Sequence, residues 1–278
     1  MRRRPYQQVA QPNKGHQPSR DEGRRIGLAR ALSKLGFCSR LKAGELIQAG
    51  RVRLNGAVRR DGETPVRLGR DRIAVDGRAI EAAVRIYLML NKPRGVVTTA
   101  SDEQGRETVY DSLRAAGGET AKWLAPVGRL DKASEGLLLL TNDSEWAAGV
   151  LAPGTHLEKR YHVQIGEVAE EGVLVSLRKG MRSEGEFLRV RSADILRRGE
   201  RNSWLEIVLE QGKNRHIRRM LQALGIDVLR LVRVAIGPLA LGDLAKGAAR
   251  PLTRAEKISL DQAMSTFRSA LANAGGNL

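Results

Sequence analysis

The pattern of apolar and polar residues near the start of the chain predicts two short helices. Apolar residues recur at helical spacing from Leu28 to Leu35, and Gly36 then ends the helix. Ser39 is a suitable N-cap for a second helix, RLKAGELIQAG, which ends at Gly50. Both helices are short, so they need a sheet to pack against.

Two hairpins follow the helices. Alternating apolar and polar residues flank Asn55-Gly56, and Asp76-Gly77 lies within DRIAVDGRAI. Asn-Gly and Asp-Gly are the strongest short hairpin signals, because both turn residues must adopt positive φ. Residues 25–83 are therefore predicted to form a small α/β module.

Strands dominate the pattern beyond residue 84. RIYLMLNKPRGVVTT indicates a strand, a turn and a second strand, and GLLLLT indicates a buried strand. EKRYHVQIGEV and SWLEIVLEQ also have strand character, whereas DSEWAAGVLA and NRHIRRMLQALG favour helices. The fold class is α+β, with a larger domain at 84–255 built on a mostly antiparallel sheet. We expect a disordered basic tail at 1–24 and a C-terminal helix or tail at 256–278.

The net charge of the chain indicates the kind of partner that it binds. The 278-residue chain has a net charge of +17 and a pI near 10.8, which favours a polyanion such as nucleic acid. Residues 1–83 carry 19 Lys and Arg against 8 Asp and Glu. The positive charge is therefore concentrated in the first 83 residues, which comprise the tail and the small module.

Four cations of the module are candidate RNA contacts. Arg51 and Arg53 alternate with apolar residues in the first hairpin, which places both on the face opposite the core. Arg40 and Lys42 open the second helix, where free backbone N–H groups also favour phosphate. The alternative is ordinary solvated surface charge, which is the commoner role of any single arginine.

Several function classes lack their sequence signals. Cys38 is the single cysteine and the four histidines are scattered, so neither a disulfide nor a metal site is expected. No phosphate-binding P-loop, dinucleotide-binding glycine motif or Ser-centred elbow is present. No signal core or 18-residue apolar span occurs. We expect a soluble cytoplasmic protein that works without a cofactor.

Asp131 is the leading candidate for chemistry. It lies in a loop just before the apolar run GLLLLT, and Arg129 is two residues away. A carboxylate at the edge of a core strand is partly desolvated, and a nearby guanidinium would keep it ionised. From the residues alone, a turn cap or a structural ion pair is the commoner role for such an aspartate.

A family resemblance changes that balance. LARALSKLGFCSRLKAGELIQAGRVRLNG resembles the S-four-type RNA-binding domain, in which two helices and a hairpin present a basic face to structured RNA. GRLDKASEGLLLLTND closely resembles the signature of bacterial ribosomal-RNA pseudouridine synthases that carry this domain at the N-terminus. KPRG, EKRYHV, GKNRHIRRM and LRLVRVAIGPL extend the resemblance over residues 26–255.

The resemblance implies roles for individual residues. Asp131 matches the essential catalytic carboxylate, Tyr161 the ring that packs on the target uracil, and Arg218 the basic residue that pairs with the aspartate. Leu231 resembles the apolar contact to the base, although a buried core leucine is an open alternative. Arginine and lysine residues near these positions are expected to meet RNA phosphates: Arg129, Lys213, Arg215 and Arg219.

The implied function is isomerisation of uridine to pseudouridine in ribosomal RNA, with large-subunit RNA preferred. Small-subunit RNA, transfer RNA and a non-catalytic role in ribosome assembly are the alternatives. A methyltransferase would need a glycine-rich cofactor loop, and a thiolation enzyme would need more cysteine. Ser144 and His216 depart from the commonest residues of the family, which leaves the subgroup and target site open. We expect a monomer that acts on ribosomal RNA or a subunit precursor.

Overall fold

The computed structural model describes residues 25–99, 102–117, 123–155 and 157–274, with side chains up to residue 265. The tail expected at 1–24 lies outside the described residues. The chain divides into two compact units. One extends to Ile86 and also contains Gly117–Ala125 and Thr141–Trp146, and the other comprises Tyr87–Ala116, Pro126–Leu140 and Ala147–Leu278. No described helix is both long enough and apolar enough to cross a membrane.

The first unit contains the module of short helices and hairpins. Its elements are, in chain order, β1 (Ile26–Gly27), α1 (Leu28–Lys34), α2 (Arg40–Gln48), β2 (Val52–Leu54), β3 (Ala57–Arg59), β4 (Pro65–Val66), β5 (Ile73–Val75) and β6 (Arg78–Ala79).

Local sequence signals account for this module. The Ser39 hydroxyl accepts a hydrogen bond from the Lys42 backbone N–H and caps α2, as predicted. Asn55 and Gly56 have φ values of 51° and 85°, so the turn between β2 and β3 has the conformation that the sequence requires. β2 lies between β3 and β5 in a sheet of order β3-β2-β5-β6. The helices bury Leu28, Leu32 and Ile47 fully, which completes the core.

The remaining elements, in chain order, are β7 (Tyr87–Lys92), α3 (Val109–Ala115), β8 (Ala125–Val127), β9 (Glu135–Thr141), α4 (Ser144–Leu151), a 3-10 turn (Pro153–Thr155), β10 (Lys159–Ile165), α5 (Glu171–Lys179), β11 (Met181–Ser183), β12 (Glu186–Leu188), β13 (Ser192–Arg198), β14 (Ser203–Leu209), α6 (His216–Ala223), β15 (Val228–Ile236), β16 (Leu239–Ala240), β17 (Ala249–Pro251) and α7 (Arg254–Ala274).

A nine-stranded sheet organises these later elements. Seven strands follow the order β13-β14-β10-β15-β9-β7-β17, with β16 added to β15 and β8 to β9. β10 pairs antiparallel with both β14 and β15, whereas β15 pairs with β9 in parallel. This agrees with the predicted α+β class and mostly antiparallel sheet. All seven residues of β9 are buried, as expected of a strand inside the sheet.

Some elements differ from the sequence-based expectation. The strand expected after KPRG is absent from this stretch, where Val97 forms only an isolated parallel bridge with Thr108. Gly95 has a φ of 95° in the preceding turn. α3 and α5 were not predicted, although the capping box of Thr108 and Asp111 was a local signal for α3.

Candidate active site

The strand that follows Asp131 approaches its neighbour unusually closely. Gly136 of β9 has a φ of 102° and pairs with Arg233 of β15. A Cβ atom at this position would lie 2.3 Å from the Arg233 carbonyl oxygen. Only glycine fits, because the conformation and the contact both exclude a side chain. Gly136 therefore fixes the position of β9 beside β15, next to the point where the loop that carries Asp131 ends.

Hydrogen bonds hold the main chain of this loop. The Thr98 hydroxyl donates to the Leu130 carbonyl at 2.7 Å, and the Gly95 N–H donates to the Lys132 carbonyl at 2.7 Å. The Ser134 N–H closes a turn onto the Asp131 carbonyl at 2.9 Å. A backbone tied at successive residues holds the Asp131 side chain in one position, as a catalytic carboxylate requires.

Lys92, the last residue of β7, donates further hydrogen bonds to this loop. Its side chain is fully buried, and Nζ donates to the carbonyls of Pro93, Asp131 and Ser134 at 2.9, 3.2 and 2.9 Å. Burial lowers the pKa of Lys92 to about 8, although Asp131 and Glu135 favour the charged form. Sequence reasoning assigned no role to Lys92. Its position within an apolar strand just before a proline was the available signal.

A cleft of about 280 Å³ brings three predicted residues together. Asp131, Tyr161 of β10 and Leu231 of β15 all line it. Asp131 is half-buried, whereas Tyr161 and Leu231 are 8% and 6% exposed. The cleft therefore places a carboxylate beside an aromatic ring and an apolar side chain, an arrangement suited to a flipped nucleotide.

Arg218 lies beside this loop and is not part of the cleft lining. Its Nη2 donates to the Ala133 carbonyl at 2.9 Å. Burial and the neighbouring Arg215 lower the pKa of Arg218, whereas Asp131 acts in the opposite direction. Within the described residues, no carboxylate oxygen lies within the 4.0 Å ion-pair limit of Arg218. Arg218 thus contacts the loop through the Ala133 carbonyl, and the described residues do not form the Arg218–Asp131 ion pair that the resemblance implies.

The cations expected to meet RNA phosphates near the cleft fall into two groups. Arg129 and Arg215 are exposed, Lys213 is half-buried, and all three line the cleft. Arg219 is only 6% exposed, and its guanidinium contacts Glu184 at 3.2 Å and Glu186 at 2.7 Å. A buried arginine with two carboxylate partners is structural, so we do not retain Arg219 as a phosphate contact.

The first unit holds the four other cations that were predicted to contact RNA. Arg40, Lys42, Arg51 and Arg53 are all exposed, and β2 alternates buried and exposed residues as predicted. Arg51 forms a two-bond ion pair with Asp76, and the Arg53 guanidinium donates to the Gly56 carbonyl at 3.0 Å. Exposed ion pairs contribute little stability, so these guanidinium groups can exchange partners at low cost.

Two further cations of the cleft were missed by sequence reasoning. Lys159 of β10 and Arg233 of β15 both line it. The signal for Lys159 was its position two residues before Tyr161 in a strand, which places both on one face. Arg233 gave no such signal, because its orientation depends on how β15 pairs with β10. Among the described residues, no group of three or more His, Cys, Asp or Glu is placed to hold a metal ion.

Comparison with known proteins agrees with this geometry. A family model described as RNA pseudouridylate synthase matches residues 86–223, and an S4 domain model matches residues 26–73. The chain is 35% identical over 228 residues to the ribosomal large subunit pseudouridine synthase B of Bacillus subtilis (strain 168), covering 81% of this chain and 91% of that protein. An uncharacterized RNA pseudouridine synthase of Aquifex aeolicus (strain VF5) is 35% identical over 240 residues, covering 86% and 95%.

A solved structure supports the same assignment. The crystal structure of a pseudouridylate synthase matches with a TM-score of 0.57 and 29% identity, covering 84% of this chain and 99% of that one. Sequence identity and fold therefore agree over most of the chain. The chain belongs to the RNA pseudouridylate synthase family and carries an S4 domain ahead of its synthase domain.

Proposed function

We propose that this enzyme isomerises one uridine of large-subunit ribosomal RNA to pseudouridine. The observation that carries the proposal is the cleft in which Asp131, on a tightly bonded loop, faces Tyr161 and Leu231. The substrate follows from the name of the Bacillus subtilis relative. The enzyme acts as a monomer on ribosomal RNA or a subunit precursor, and needs no cofactor because the reaction adds and removes no atoms.

The reaction begins when the RNA presents an extruded uridine to the cleft. Unstacking costs a few kcal/mol, which contacts between cations and the RNA backbone offset. Arg129, Lys213 and Arg215 at the cleft supply some of these contacts. The exposed cations of the S4 domain supply others.

Asp131 then acts on the sugar. Its carboxylate either attacks the anomeric carbon or removes a proton from the neighbouring sugar carbon, and both routes need the ionised form. Lys92 and Arg218 hold the loop and place positive charge near this carboxylate.

Tyr161 and Leu231 hold the detached uracil while it turns. An aromatic ring and an apolar side chain bind a planar base without fixing its in-plane orientation. After carbon 5 has bonded to the sugar, the Tyr161 hydroxyl helps to remove the proton from that carbon. Both side chains are buried and line the same cleft.

Mapping pseudouridines in ribosomal RNA tests this function. Purified enzyme is incubated with unmodified 23S and 16S RNA and with transfer RNA, and modified uridines are located by carbodiimide labelling and primer extension. We expect one new pseudouridine in the large-subunit RNA. Modification confined to another RNA would overturn the substrate, and modification of none would overturn the proposed activity.

Neutralising the hairpin cations should weaken RNA binding in a salt-dependent way. Replacing Arg51 and Arg53 with glutamine removes two phosphate contacts, so the slope of log K against log salt should fall by about 2. Filter binding between 50 and 300 mM salt measures the slope. The control is the Arg197→Gln, Arg201→Gln double variant, which removes two exposed charges elsewhere. An equal change in both variants would refute a specific role for the hairpin.

A further inference from the structure

Arg233 and Lys159 line the cleft, are at least half-buried, and have no carboxylate partner among the described residues. Arg233 is 6% exposed; its Nε donates to the Leu137 carbonyl at 2.8 Å, and its Nη2 is buried with no hydrogen-bond partner. Lys159 is half-buried, and its side chain makes no hydrogen bond or ion pair with another described residue. Buried charges without partners are costly. Such a pair indicates that an electron-rich group from outside the chain completes the site.

The pairing of β10 and β15 brings these cations to the same face as Tyr161. Lys159 lies opposite Ile236, and Tyr161 lies opposite Arg233, with a register shift between these two pairs. The shift places Arg233, rather than Val234, opposite the tyrosine. Bulges of this kind redirect side chains beside active sites. The two cations and the aromatic ring therefore face one cleft.

The two positive charges also affect each other. Burial, and then repulsion from Arg233, lower the pKa of Lys159 to about 8. Lys159 is still mostly protonated at neutral pH, so both cations face the cleft together. Within the described residues, neither has a carboxylate oxygen within 4.0 Å, and this includes Asp131. The part of the chain that the structure describes thus places no carboxylate against this charge.

The side chains around Lys159 and Arg233 indicate which part of the RNA these two cations contact. Leu209, Leu231 and Ile236 line the same part of the sheet, and all are buried. Phosphates stay hydrated along the RNA backbone, where the exposed Arg129 and Arg215 are available. Buried apolar side chains beside the two cations suit the flat faces of the base, whose carbonyl oxygens are its electron-rich atoms. The base therefore fits this pair better than a phosphate does.

We propose that Lys159 and Arg233 bind the carbonyl oxygens of the target uracil and stabilise the uracil anion when the base leaves the sugar. This inference rests on the proposed pseudouridine synthesis. It assigns to Lys159 a catalytic role that is separate from the actions of Asp131 and Tyr161. Donors aimed at a charge that develops during the reaction are among the largest contributors to catalysis.

The chemical balance explains why the charge appears. When the bond between nitrogen 1 and the anomeric carbon breaks, its electron pair stays with uracil, and the negative charge spreads onto the carbonyl oxygens. Carbon 5 then forms the new bond to the anomeric carbon and loses its proton, and nitrogen 1 gains a proton. Lys159 and Arg233 stabilise the uracil anion after the old bond has broken and before the new bond forms. The reaction consumes no other reagent.

Replacement of Lys159 in single-turnover experiments tests the proposal. Lys159→Met should slow the reaction about 100-fold on a synthetic RNA that carries the mapped uridine. RNA affinity should stay within about twofold, because backbone contacts are unchanged. Lys159→Arg should recover most of the rate, since it keeps the charge. Lys179→Met is the control, because this exposed lysine of α5 lies outside the cleft.

A better leaving group provides the decisive comparison. When the same RNA carries 5-fluorouridine, the base that leaves is a more stable anion. The decrease in rate caused by Lys159→Met should therefore shrink to about tenfold or less. Loss of the intact 5-fluorouridine nucleotide after digestion measures bond cleavage. Equal losses on both RNAs, or a large loss of affinity, would overturn the proposal. Wild-type enzyme that is inactive on all uridine RNAs would instead overturn the proposed function itself.

Discussion

Asp131→Asn is expected to abolish pseudouridine formation while leaving RNA affinity within about twofold. The substitution keeps the size of the side chain but removes the charge needed for attack or proton removal. We expect a loss of at least about 10⁴-fold in the single-turnover rate. The measurements are nucleoside analysis of the RNA after digestion and filter binding of the same RNA.

Asp243→Asn is the matched control, because it makes the same change at an exposed position. This control should retain full activity. Turnover by Asp131→Asn within about tenfold of the wild-type rate would remove Asp131 from the chemistry. A loss of RNA binding equal to the loss of rate would give it a binding role instead.

Gly136→Ala is expected to destabilise the synthase unit by at least about 3 kcal/mol. The added methyl group would lie 2.3 Å from the Arg233 carbonyl oxygen and 2.8 Å from its nitrogen. The backbone φ of 102° is also unfavourable for alanine. β9 and β15 would have to separate, which would displace the loop that carries Asp131. The urea midpoint of unfolding and the solubility of the variant measure the effect.

Gly172→Ala makes the same chemical change as Gly136→Ala, but we expect no loss of stability. Gly172 lies in α5, and an added Cβ would meet no atom within 4 Å. Alanine there should be neutral or stabilise by up to about 1 kcal/mol. A Gly136→Ala protein with nearly normal stability and activity would show that β9 and β15 do not need this close approach.

Local signals explain why much of the fold could be predicted from the sequence. Asn55-Gly56 and Asp76-Gly77 specify hairpins by their own conformational preferences, and Ser39 caps a helix through a bond three residues away. The apolar run after Asp131 indicates a buried strand regardless of its partners. The candidate site depended on the family resemblance, since a single aspartate in a loop has many ordinary roles.

Other features depend on distant parts of the chain. Lys92 lies 42 residues from Ser134, whose carbonyl it binds, and no local pattern indicates that bond. The orientation of Arg233 depends on a shift in strand pairing. Arg219 resembles its neighbours in sequence, but it is buried against the acidic residues of the β11–β12 hairpin. Such roles follow from tertiary packing, so they require the structure.

Release of tritium from carbon 5 of uridine tests the central claim most directly. RNA labelled with tritium at this carbon loses the label only when the carbon bonds to the sugar and gives up its proton. We predict stoichiometric release of one tritium per RNA by the wild-type enzyme and by Asp243→Asn, and none by Asp131→Asn. Release by Asp131→Asn at the wild-type rate, or no release by the wild-type enzyme, would contradict the account.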